Sequence, residues 1–174
     1  MKVAPMAFLV VAVIVSALSI VSLAPGTVWP AEKIQADRIL VLKADRKMIL
    51  YRKDVAIATY KIALGGNPKG HKTQQGDGKT PEGNYTISGR NPKSRFHLSL
   101  RISYPGPQDV AQARQRGVDP GGDIMIHGLP PAFAYLGSLH RLVDWTEGCI
   151  AVTNDEIGMI WELVPIGTPI EILP

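Results

Sequence analysis

The chain has 174 residues, 45% of them hydrophobic and 20% charged, with a net charge of +4. The apolar run Met6–Ala24 takes up a large share of that hydrophobicity, so the remainder has the composition of one soluble globular domain, not of a multi-span membrane protein. Basic residues are scattered between Lys43 and Arg116 without the stripe or reader motif expected of nucleic-acid binding, and three Trp, five Tyr and three Phe argue against disorder.

Lys2 precedes the apolar run, which ends in the small-x-small triplet Ser22-Leu23-Ala24, the pattern of an export signal. Pro25 is a poor residue directly after a cut, and a mainly apolar run of 19 residues approaches the ~20 needed to span hydrocarbon. Residues 1–24 are therefore expected to be a signal peptide or a membrane anchor, with anchoring through residues 6–24. Residues 25–37 read as a linker and 38–174 as the folded domain.

Within the domain, Ile39–Leu42, Met48–Tyr51 and Val55–Leu64 predict successive antiparallel strands. Residues Gly65 to Gly83 carry six Gly and two Pro and predict a long, functional surface loop in which His71 faces solvent. Strands are expected over Asn84–Ser88 and Phe96–Ser103, and a helix over Pro107–Arg116 with Gly117 as its stop. In Asp123–His127 the alternation sets Asp123, Met125 and His127 on one face and Ile124 and Ile126 on the other. A further strand starts at Cys149, and Thr153-Asn154-Asp155-Glu156 is a capping box opening a helix with Ile157, Ile160, Trp161 and Val164 on one side. Thr168–Leu173 closes as a strand. The fold class is mainly β (α+β), with one or two short helices and no βαβ alternation.

Cys149 is the one cysteine of a chain expected to be exported, so it is an inert buried thiol, an intermolecular bridge or a nucleophile. A thiol of pKa ~8.5 needs a neighbour that lowers this value to be reactive at neutral pH. His127 ends a strand and Cys149 begins one, so strand pairing brings them together, and the Gly148 and Cys149 amides are candidates for an oxyanion hole. His140 is the rival base, lacking a strand to fix it. No His-Glu-x-x-His or comparable ligand spacing occurs, so neither a metal nor another cofactor is expected.

His127-Gly128 followed by Thr146, Gly148, Cys149, Ile150 and Asn154 resembles the signature of the L,D-transpeptidase catalytic domain, the YkuD-type fold, and in particular its YafK-like branch. The segment Thr80-Pro81-Glu82-Gly83-Asn84-Tyr85 is similar to that family as well. The resemblance implies a β-sandwich-like domain in the periplasm or cell envelope that acts on peptidoglycan stem peptides. His127 is then the general base and Cys149 the nucleophile, and the Gly128 carbonyl orients the imidazole. Two positions depart from the pattern: Glu147 stands where the family has His, and Ala151 where it has Arg. Arg141 is the expected substitute as carboxylate partner, with Thr146, Glu147, His140 and Asn154 around the substrate. The acyl-enzyme would pass to an amine, giving a cross-link, or to water, giving a peptidase or amidase. A non-catalytic wall-binding module is the reading from a different class.

Overall fold

The computed structural model describes residues 33–174; the apolar run and the greater part of the linker lie outside the described residues. Eight strands form one sheet: β1 (Arg38–Leu42), β2 (Lys47–Arg52), β3 (Val55–Lys61), β4 (Gly83–Ser94), β5 (His97–Ile102), β6 (Met125–His127), β7 (Ile150–Ala151) and β8 (Pro169–Leu173). Their spatial order is β3-β2-β1-β8-β4-β5-β6-β7. Neighbours are antiparallel except β1 with β8 and β6 with β7, which run parallel.

Two-residue alternation explains why these segments are strands. Ile39 and Val41 of β1, Met48 and Leu50 of β2, and Ile170 and Ile172 of β8 are buried while the residues between them are not. These side chains join Ile87, Leu100, Ile102, Ile126, Ile150 and Val152 in one core. Each such aliphatic side chain contributes roughly 1.5–3 kcal/mol on burial.

The sandwich-like layering is produced by this one sheet curling on itself. Beyond β3 the chain reaches the opposite end of the strand order: the amides and carbonyls of Ala63 and Ala151 bond reciprocally at 2.9 Å, and Gly65 bridges to Thr146. The two ends of the sheet thus meet beside Cys149.

Helix α1 (Pro107–Arg116) starts at Gly106, whose amide donates to Asp109 Oδ2 at 2.8 Å, and stops at Gly117 with φ 67°. Helix α2 (Asn154–Leu163) carries the capping box read in the sequence: the Glu156 amide donates to Thr153 Oγ1, and the Thr153 amide to Glu156 Oε2. It buries Ile157 and Ile160 against the sheet. A 3₁₀ segment over Pro131–Leu142, interrupted at Gly137, was not foreshadowed by any apolar period. It leaves Phe133, Tyr135, Leu139 and Leu142 exposed.

The loop between β3 and β4 is held from inside. Lys43, almost fully buried at the end of β1, donates to the carbonyls of Gly70 and Thr80 and to Glu82 Oε1 at 2.8–2.9 Å. Further along, Asp77 accepts from the amides of Thr73, Gln74 and Lys79 and from Lys72 Nζ. Burial alone would raise the Asp77 carboxyl, but these hydrogen bonds outweigh it and hold its pKa at about 2. His71, expected to face solvent, instead bridges the loop to α1: its Nδ1 accepts from the Glu82 amide and its Nε2 lies 3.0 Å from Asp109.

Candidate active site

In the parallel pairing of β6 and β7, His127 stands opposite Ala151. Cys149 lies two residues before Ala151, so strand alternation sends the Cys149 and His127 side chains to the same face. Both line a cavity of about 900 Å³ together with Met125, Trp145, Thr146 and Glu147. The opposite face of β6 carries Ile126 into the core, joined by Ile124 just before the strand, which fixes the register.

The imidazole is tightly placed. His127 Nδ1 donates to the Gly128 carbonyl at 2.7 Å, so Nε2 carries the free lone pair. Its ring packs 4.4 Å from that of Phe96 and 5.8 Å from that of Trp145. Gly128 has to be glycine, because a Cβ would come within 2.5 Å of Asn154 Oδ1 and 3.0 Å of Ile157.

A threonine clamps the turn before the cysteine. The Gly148 amide donates to Thr146 Oγ1 at 3.1 Å, and the Thr146 hydroxyl donates to the Cys149 carbonyl at 2.7 Å. The Gly148 amide, read from the sequence as one oxyanion donor, is therefore engaged within the turn, which leaves the Cys149 amide. Gly148 itself has φ 128°, and a Cβ there would come within 2.5 Å of the Lys79 carbonyl oxygen, so the turn and the long loop interlock.

The electrostatics differ from a preformed thiolate and imidazolium. Burial above all pushes the Cys149 thiol up, and the Asp123 and Glu147 carboxylates add to it; the Met125 backbone and the Lys72 ammonium work in the opposite direction. Burial likewise pulls His127 down, helped by Arg95 and opposed by its bond to Gly128. Both directions favour the uncharged forms, thiol and imidazole, and the thiol donates to the Asp123 carbonyl at 3.5 Å.

Three expected substrate contacts are placed elsewhere. Arg141 is ion-paired with Glu156, the same carboxylate that accepts from the Thr153 amide, and does not line the cavity. Asn154 Oδ1 accepts from the Leu129 amide at 2.7 Å and so fixes the turn after His127. His140 is buried behind Trp145, whose indole N–H donates to its Nδ1 at 3.3 Å. Thr146 and Glu147 do line the cavity. Asp123, which the alternation set on the His127 face, lines it as well, and sequence reasoning missed Lys72 and Arg95, which also do. The signal for Lys72 was its place in a long loop; Arg95 sits in the turn between β4 and β5 with no pattern to mark it.

The curled β sheet sets an imidazole at the end of β6 and a thiol directly before β7 in one cavity. The chain matches the YkuD L,D-transpeptidase catalytic domain over residues 36–172 and belongs to that family. It is 31% identical to YafK of Escherichia coli K12 over 134 residues, covering 72% of this chain and 46% of that protein. Among solved structures, it is similar to the helical cell shape determining protein Pgp2 (K307A mutant) from Campylobacter jejuni, with a TM-score of 0.62 at 26% identity, covering 80% of this chain and 47% of that one. Bd1075 of Bdellovibrio bacteriovorus is also similar, with a TM-score of 0.56 at 27% identity, covering 80% and 48%. The chain thus spans about half the length of these relatives.

Proposed function

We propose that the domain acts in the cell envelope as a cysteine-dependent L,D-transpeptidase on peptidoglycan stem peptides. Family membership supports the reaction class. The observation that carries the assignment of residues is the shared face of His127 and Cys149, with Nδ1 tied to Gly128 and Nε2 left as acceptor. Because the resting pair is neutral, proton removal accompanies attack. His127 Nε2 takes the thiol proton as Cys149 Sγ bonds to the substrate carbonyl carbon, and the Cys149 amide faces the developing oxyanion. Collapse breaks the C–N bond, and His127 returns the proton to the departing amine, leaving a thioester. An acceptor amine then attacks the thioester, restoring the thiol and forming the cross-link.

Incubating the protein with muropeptides and weighing the products separates the fates of the thioester. Cross-linked or exchanged products are expected; shortened products alone would assign hydrolysis. Cys149→Ala should abolish turnover with a cooperative thermal transition retained, and full activity in that variant would overturn the reading.

A further inference from the structure

We propose that Arg95 and Lys72 form an anion subsite that holds a substrate carboxylate beside the thiol, a specificity device that rests on the peptide-substrate reading above. The need for one comes from Ala151. It stands where the resemblance has an arginine, is fully buried and is tied by both its backbone groups to Ala63, so nothing at that position reaches a ligand. Arg141, the substitute suggested by the sequence, is occupied by Glu156.

Lys72 and Arg95 are the lysine and arginine of the cavity lining, which they share with the reacting pair. The Arg95 guanidinium lies 5.0 Å over the Phe96 ring, which in turn lies 4.4 Å from the His127 ring. Arg95 is exposed and has no carboxylate partner among the described residues. A planar guanidinium backed by an aromatic face and lacking a counter-ion is suited to a carboxylate.

Lys72 is the complement on the thiol's side, since its ammonium acts electrostatically on Cys149. It is 3% exposed, and two of its three N–H donors are occupied, by Asp77 Oδ1 at 2.9 Å and the Gln74 carbonyl at 3.2 Å. The third has no partner among the described residues. Since Asp77 already balances its charge, Lys72 serves as a rigidly placed donor, and Arg95 is the cation of the lining without a carboxylate partner among the described residues. Of the acidic side chains that line the same cavity, Asp123 is paired with Arg101 at 2.9 Å and Asp119 and Glu147 are exposed, so Arg95 and Lys72 act as placed N–H donors and not through an excess of positive charge.

The test needs no peptidoglycan for its first arm. Cys149 is alkylated with iodoacetate and with iodoacetamide, and the ratio of the two rates cancels any change in thiolate fraction. Arg95→Gln should lower that ratio at least threefold, whereas Arg114→Gln on α1 should leave it unchanged. The second arm compares stem peptides ending in a free carboxylate or a carboxamide. The wild type should favour the acid through KM, and the preference should fall at least tenfold in Lys72→Met/Asp77→Asn, a pair that leaves no uncompensated buried charge. An unchanged alkylation ratio in Arg95→Gln overturns the subsite, and an unchanged acid preference in the double variant removes Lys72 from it. A lowered ratio in a protein that turns over no muropeptide keeps the subsite and overturns the reaction proposed above.

Discussion

His127 and Cys149 each shift in the direction that keeps them uncharged, which makes two chemical behaviours separable. Alkylation of Cys149 by iodoacetamide should rise with pH and pass its midpoint above the ordinary thiol value of ~8.5; a plateau below pH 7 would show a preformed thiolate. Replacing His127 by Ala should cut turnover about 100-fold or more, yet change alkylation at pH 9 little, because a neutral imidazole gives the thiolate no charge to pair with. His140 offers a second test. Burial, with Arg141 beside it, lowers its pKa from 6.5 to about 4. The unfolded chain then binds a proton that the folded chain refuses, so the stability is present above pH ~6.5 and lost as the pH falls toward 4. Thermal melts across that interval should show the loss, and His140→Gln should remove on the order of 2 kcal/mol of it.

The β3–β4 loop is held to the rest of the domain by the buried Lys43 and braced within itself by the buried Lys72, and its integrity depends on their partners. Asp77→Asn leaves the Lys72 ammonium buried without a counter-ion and should cost about 3–5 kcal/mol in urea unfolding; adding Lys72→Met should recover part of it. These anchors also show why legibility varied. Strands such as β1 and β8 were readable because alternating burial writes itself into the sequence, and α2 because its cap and its apolar stripe agree. The register that sets His127 against Ala151 followed from two short β-forming segments. The 3₁₀ segment has no such period, since its apolar residues stay exposed. Arg141 looked suitable by proximity in sequence to Cys149, but its geometry was decided by Glu156 on α2, a contact no local pattern announces. Arg95 was invisible for the converse reason: an exposed arginine gains meaning only from the Phe96 ring beneath it and from the packing of that ring on His127.

At the scale of the whole domain, the strand made from residues 169–173 lies in the middle of the sheet, parallel to β1 and antiparallel to β4. Ile170 and Ile172 are its contribution to the core. A chain stopped at residue 168 should therefore lose cooperative unfolding altogether, as read by circular dichroism, where loss of an edge strand would only weaken it. On one side of β8 stand β1–β3, and on the other β4–β7 with the candidate catalytic pair; without it the two groups share no ladder in the centre of the sheet. The order in which a ribosome makes the chain then matters. The three strands of the first half emerge early but wait for a partner that is synthesised more than a hundred residues later, and such long-range pairing is slow because the loop must be closed before any contact rewards it. The cavity around Cys149 consequently takes shape only after residue 173 has been added, so the nascent chain carries its thiol through synthesis before any site exists to use it.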